Sequence, residues 1–116
     1  MTFLKLGGKE RPFQITFRVI ALMQKECGLS FADMANMNAV HMESLLFHGL
    51  QSGFRAQNEG IWPKWERKDL EDWLDTPDGF AALRQAQEEM QQMANVINGD
   101  EETAPAGNPA GGAAPN

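Results

Sequence analysis

Cys27 has no second cysteine to pair with, so no disulfide can form within the chain and a reducing cytoplasm suits it. Histidine is almost as scarce. His41 and His48 lie seven residues apart, not at the four-residue spacing with which a helix presents a zinc pair. A metal site would have to borrow carboxylates, and both imidazoles read more simply as polar helix positions. Basic charge is also short. Three of the acidic groups, Asp100, Glu101 and Glu102, lie beyond Gly99, yet residues 1–98 still carry −3 of the chain's total of −6. A nucleic-acid binder needs a basic stripe to neutralise phosphates, so that class is set aside. No apolar run approaches the roughly 18 residues of a membrane span. The opening MTFLKLGGKE lacks the basic start and long apolar stretch of a secretory signal. The expectation is a soluble intracellular chain with no membrane partner.

Catalytic motifs are missing too. Ser44 stands one turn before His48, but no G-x-S-x-G elbow or oxyanion-hole loop accompanies the pair. Asp69, Glu71, Asp72 and Asp75 cluster in RKDLEDWLD. Carboxylates do acid–base work only where burial drives their pKa values apart. Alternating with Leu70, Trp73 and Leu74, these read as the solvated side of a helix. Cys27 falls at a predicted helix C-terminus, where the dipole disfavours a thiolate, which suits a small core residue. LGGKE has the spacing of neither a P-loop nor a dinucleotide turn. No enzyme, cofactor or metal is expected.

What is present is local structure signalling. At 116 residues the chain is one domain's worth. TFLKL alternates, with Leu4 and Leu6 on one face and Phe3 and Lys5 on the other. GGKE supplies a hairpin turn, and RPFQITF resumes a β pattern with Phe13, Ile15 and Phe17 on one face. Pro12 suits an edge strand. Thr16 then caps a helix whose apolar face is Val19, Ile20, Met23 and Cys27, closed by Gly28 in a Schellman-type end with Leu29 folding back on Met23. Ser30 caps a short helix, with Asp33 three residues on and a Leu29–Met34 staple.

Asn38 caps a longer helix to about Gln57, with a stripe of Val40, Phe47, Leu50 and Phe54 widened by Leu46. Gly49 and Gly53 interrupt it, each costing about 1 kcal/mol against alanine, which argues for close backbone packing one turn apart. QNEGIWP is a connector. KWERKDLEDWLD is a short helix with Trp65, Leu70, Trp73 and Leu74 as its apolar set. Thr76 and Pro77 restart the chain as cap and N1. Phe80, Leu83, Gln87, Met90, Ala94 and Ile97 follow at heptad spacing, too few repeats for a coiled coil, so an amphipathic helix closing the domain is expected. Residues 99–116 hold 4 Gly, 3 Pro and 5 Ala with no large apolar side chain. They read as a disordered acidic tail or linker with a reach of about 23 Å. The fold class is therefore mostly α: a helical domain over 1–98, with four or five helices under an N-terminal β-hairpin.

Two features point to binding rather than chemistry. Trp62, Trp65 and Trp73 lie close in sequence, and tryptophan is enriched where surfaces anchor one another. Seven methionines include Met90 and Met93 on the last helix, and flexible Met-rich faces suit adaptable binding. Each could equally be core, the better reading for Trp73. The candidate partner-binding set is Phe47, Leu50, Phe54, Trp62, Trp65, Met90 and Met93.

Gly7-Gly8-Lys9, the strand from Phe13 to Phe17, Glu26-Cys27-Gly28 ending a helix, the Ser30 turn and the Gly49-Leu50 pair together resemble the start of the phage tail assembly chaperones. These are small proteins of long-tailed bacteriophages encoded just before the tape measure protein. RKDLEDWLD, Arg67 to Asp75, resembles that family's acidic helix, so the likeness covers roughly residues 3–75. The resemblance implies a non-enzymatic role in virion morphogenesis. Such a chain binds and solubilises the tape measure protein, helps recruit tail tube subunits, works in the host cytoplasm and is absent from the mature virion. It also implies a longer sibling made by ribosomal frameshifting, in which the Gly/Pro/Ala segment would tether a tube-recruiting domain. Self-association into a homo-oligomer is a further expectation, since many copies must line an extended client. The main alternative is a structural virion component, such as a head–tail connector or minor tail protein. A helical adaptor unrelated to phages is a third reading.

Overall fold

A computed structural model describes residues 1–30, 33 and 36–97. The predicted short helix after Ser30, its staple residue Met34, and the tail 99–116 lie outside the described residues or largely so. Strands β1 (Thr2–Leu6) and β2 (Lys9–Phe13) pair antiparallel, with Thr2 opposite Phe13 and Leu6 opposite Lys9. The loop between them is two residues long. Both carry positive φ, 60° at Gly7 and 76° at Gly8, the backbone a primed hairpin turn requires. As the alternation predicts, Leu4 and Leu6 are buried with Phe13, while Phe3 and Lys5 face out. The β pattern does not reach Phe17, contrary to expectation. After Phe13 the Gln14 N–H donates to the Gly49 carbonyl at 3.2 Å, and Phe17 opens a helix with 76% of its surface exposed.

That helix, α1 (Phe17–Cys27), starts where Thr16 Oγ1 accepts the Val19 N–H at 3.2 Å. Val19, Ile20 and Met23 are buried, and Cys27 packs half-buried against the core. Gly28 closes it in the left-handed region, its N–H donating to Gln24 O at 2.7 Å. This is the bond of the simpler αL end rather than of the Schellman pair, though Leu29 does fold into the core. Ser30 Oγ donates to Asp33 Oδ2 at 2.8 Å.

Helix α2 (Ala39–Gln57) begins in a capping box: Asn38 Oδ1 accepts the His41 N–H at 3.0 Å, and His41 Nδ1 accepts the Asn38 N–H at 3.2 Å. Its buried face is Met42, Leu45, Leu46, Gly49, Leu50 and Gly53. Val40, placed on the stripe by periodicity, is 65% exposed, and Phe47 and Phe54 are half-buried at the edges. The hairpin sets this face, because β2 lies directly on the two glycines. A Cβ at Gly49 would enter the Phe13 ring, and one at Gly53 would strike the Pro12 carbonyl. The close packing inferred from the glycine spacing is thus a hairpin-on-helix contact.

Helix α3 (Arg67–Leu74) starts later than the sequence suggests, leaving Trp65 in the approach; the Glu66 N–H donates to Asp69 Oδ2 at 2.7 Å. Thr76 Oγ1 donates to the Trp73 carbonyl at 2.6 Å and accepts the Gly79 N–H at 3.0 Å, turning the chain into α4 (Pro77–Ile97). The inner face of α4 is Ala82, Ala86, Met90 and Ala94; of the predicted heptad, Met90 and Ala94 lie on it and Leu83 packs partly buried against the core, but Phe80 is 63% exposed and Gln87 is exposed. Helix α4 packs on α3, β1 and α2. Three alanines let its backbone come close, while Phe80 and Val96 turn outward. Among the described residues the architecture is mostly helical, four helices with an N-terminal two-stranded hairpin, and no helix is long and apolar enough to cross a membrane.

Candidate functional site

Three helices are tied together at one polar junction. Glu26 from the end of α1 receives the Arg67 guanidinium of α3 through Oε2 and meets His48 Nε2 of α2 through Oε1 at 3.0 Å. Arg67 Nε also donates to Glu43 Oε2 at 3.1 Å. Hydrogen bonding to Arg67, opposed by desolvation and aided by His48, pulls the Glu26 carboxyl down to about 2. Nothing local in the sequence announces this junction, since Glu26 and Arg67 are 41 residues apart and RKDLEDWLD looks like a solvated face.

The arrangement gives each imidazole its own local duty, His41 at a helix cap and His48 at the junction. Ser44 is fully buried, and its hydroxyl has no hydrogen-bond partner among the described residues. Among those residues, no three His, Cys, Asp or Glu side chains gather as metal ligands would.

A half-buried ribbon of rings continues from the junction. Arg67 lies 4.8 Å over the Phe47 ring, Phe47 meets Trp65 edge-on at 6.0 Å, and Trp65 meets Trp73 at 5.5 Å. Arg11 of the hairpin covers the far face of Trp73 at 3.8 Å, beside Gly7, where a Cβ would run into the indole. Such contacts contribute about 0.5–1.5 kcal/mol each beyond their buried area. The tryptophan group expected from sequence is therefore split. Trp65 and Trp73 belong to the ribbon, whereas Trp62 is 58% exposed under the Arg55 guanidinium, 4.1 Å away.

The seven candidate contact residues do not share one face. Met90, at 0% exposure, is a core residue with no surface to offer a partner, which corrects its assignment as a contact; Leu50, at 1%, is also core and meets the surface only in the lining of a cleft at the foot of the hairpin. A seven-residue step from Phe47 to Phe54 takes in Leu50, but the hairpin covers that position. Phe54 and Trp65 line a 250 Å³ cleft at the foot of the hairpin with Arg11 and Pro12. Met93 borders a 520 Å³ cleft with Met1, Ile15, Glu89 and Val96. Trp62 closes a 220 Å³ groove between α1 and α2, whose lining includes Arg18, Leu22 and Arg55. Leu22 and Val96, 41% and 75% exposed, are surface apolar groups that sequence reasoning missed. Leu22 lies off the Val19–Ile20–Met23 face, and that offset was the available signal. The arrangement offers non-covalent contact: apolar clefts rimmed by fixed charge. Comparison with protein-family models, with curated proteins and with solved structures found no match.

Proposed function

We propose that this chain is a tail assembly chaperone of a long-tailed bacteriophage. It binds apolar helical stripes of the tape measure protein, keeps that protein soluble, and helps bring tail tube subunits to it during morphogenesis. The reading rests first on the resemblance carried by Gly7-Gly8-Lys9, Glu26-Cys27-Gly28, Ser30, Gly49-Leu50 and Arg67 to Asp75. The observation that carries it physically is the set of large apolar side chains left at the mouths of clefts on a helical body: Trp62 and Leu22 at one, Met93 and Val96 at another. An exposed apolar group rimming a cleft is the ordinary signature of a protein-binding surface.

The test is co-expression with the long helical protein encoded next to this chain. The soluble yield of that client is expected to rise several-fold when this chain is present and to fall back when Trp62 and Met93 are replaced by serine. A client equally soluble alone sinks the reading. Mature particles are expected to lack the chain; its presence there at a fixed copy number would instead identify a structural virion component. The coding DNA is expected to show a slippery heptanucleotide near the last codons.

A further inference from the structure

The groove between α1 and α2 has an unusual charge for this molecule. Its floor is Val19 and His48, its rim Leu22 and Arg18 from α1 and Arg55 from α2, and Trp62 closes one end. The two clefts at the foot of the hairpin and beside Met93 each include a carboxylate in their lining, Glu10 or Glu89, whereas this one includes none. In a chain of net charge −6, two arginines flanking an apolar slot run against the overall balance. Neither is salt-bridged to a carboxylate among the described residues. Glu26, the carboxylate hydrogen-bonded to the lining residue His48, is also held by Arg67.

Arg55 is also set in place. Its Nε donates to the Gly60 carbonyl at 2.9 Å while its guanidinium lies over Trp62, so cation and anchor ring are ordered before any partner arrives. Less freedom is then lost on binding. At 220 Å³ the groove is smaller than the roughly 300–1,000 Å³ of a small-molecule site and suits one anchoring side chain. Its walls are two helices and a connector, with no strand edge for an extended peptide to pair with, so the mode left is a helix laid in a groove.

We infer that this groove docks an acidic amphipathic helix of a partner protein, an apolar side chain seating between Leu22 and Trp62 while carboxylates on the same helix reach Arg18 and Arg55. The inference deepens the chaperone reading by naming the chemistry of the segment that is recognised.

The experiment uses the full chain and three labelled synthetic helices with leucine at every third and fourth position. Their flanking positions are glutamate in one, glutamine in the second and lysine in the third, and binding is followed by fluorescence anisotropy. The glutamate helix is expected to bind saturably and about tenfold more tightly than the glutamine helix, the scale of one charge-assisted hydrogen bond. The lysine helix is expected to bind more weakly still. Arg18→Glu, a change at an exposed position, should invert the order so that the lysine helix binds best. Arg55→Glu should do the same, with an unchanged circular dichroism spectrum as the check on folding. Leu22→Asp should remove binding of all three.

Equal affinity for the glutamate and glutamine helices overturns the proposal, as does an order unaffected by Arg18→Glu. A concentration-dependent dimer that Leu22→Asp dissolves would assign the groove to a second copy. A tenfold gain in affinity on removing residues 99–116 would assign it to the chain's own acidic segment. Either result displaces the partner helix. If the glutamate helix binds with this charge pattern while the tape measure protein gains no solubility, the chaperone reading fails and the groove stands. The reverse pair of results does the opposite.

Discussion

Gly49 and Gly53 would be liabilities in an isolated helix, yet here each fills the one shape its position admits. Replacing a helical glycine with alanine ordinarily stabilises by about 1 kcal/mol. At these two sites the sign reverses, because the new methyl would meet the Phe13 ring or the Pro12 backbone. Gly53→Ala is expected to destabilise by about 1–3 kcal/mol in urea titrations, as overpacking does. Gly49→Ala should cost less, since a ring can tilt where a backbone carbonyl cannot. Glu26 supplies the second residue-level prediction. Its folded pKa, about 2, lies below its ordinary 4.5, so the ionised carboxylate favours the fold above about pH 4.5, and that contribution is lost as pH falls toward 2. Wild type should therefore lose stability over that window more steeply than Glu26→Gln, and the two should converge near pH 2. The side chain is 36% exposed, so the difference at neutral pH should stay below about 1 kcal/mol and shrink with salt.

At the level of elements, much was legible from local chemistry. The Gly7–Gly8 turn, the Thr16, Asn38 and Thr76 caps and the left-handed Gly28 each depend on a few adjacent residues, and each stands where the pattern put it. What misled was the width of the helix face. On α2 and α4, periodicity placed Leu46, Leu50, Met90 and Ala94 in the core but also took in the exposed Val40 and Phe80, and it passed over Ala82 and Ala86, which a hydrophobic count undervalues. Close approach selects small residues, and closeness belongs to the partner element rather than to the helix's own sequence. Ala86 makes this testable: fully buried on the inner face of α4, it should not tolerate Ala86→Leu, with a loss of about 1–3 kcal/mol and a lowered thermal midpoint. The candidate site was less legible than the fold. Trp62 was picked out on residue type, but Arg18, Leu22 and Arg55 come together only once α1 lies on α2 and the connector returns across them.

Across the whole molecule, the polar junction at Glu26 and the ribbon from Phe47 to Arg11 tie α1, α2, α3 and the hairpin together by side chains that remain half in solvent. The clefts adjoin this framework and share His48, Arg11 and Trp65 with it, whereas Arg18, Leu22, Arg55 and Trp62 take no part in it. Loss of a partner contact and loss of the fold are accordingly separable, which is why the charge-reversal variants in the groove can be expected to stay folded. The tryptophans carry that separation into optics. Trp65 and Trp73 share one half-buried patch, with Arg11 against the Trp73 indole, while Trp62 is exposed beneath the Arg55 guanidinium. Their emission should fall into a bluer component that an aqueous quencher such as iodide reaches less readily and a redder one that it extinguishes first. Unfolding would merge the two colours, whereas occupancy of the groove would shield only the red, so the protein carries separate built-in indicators for staying intact and for being engaged.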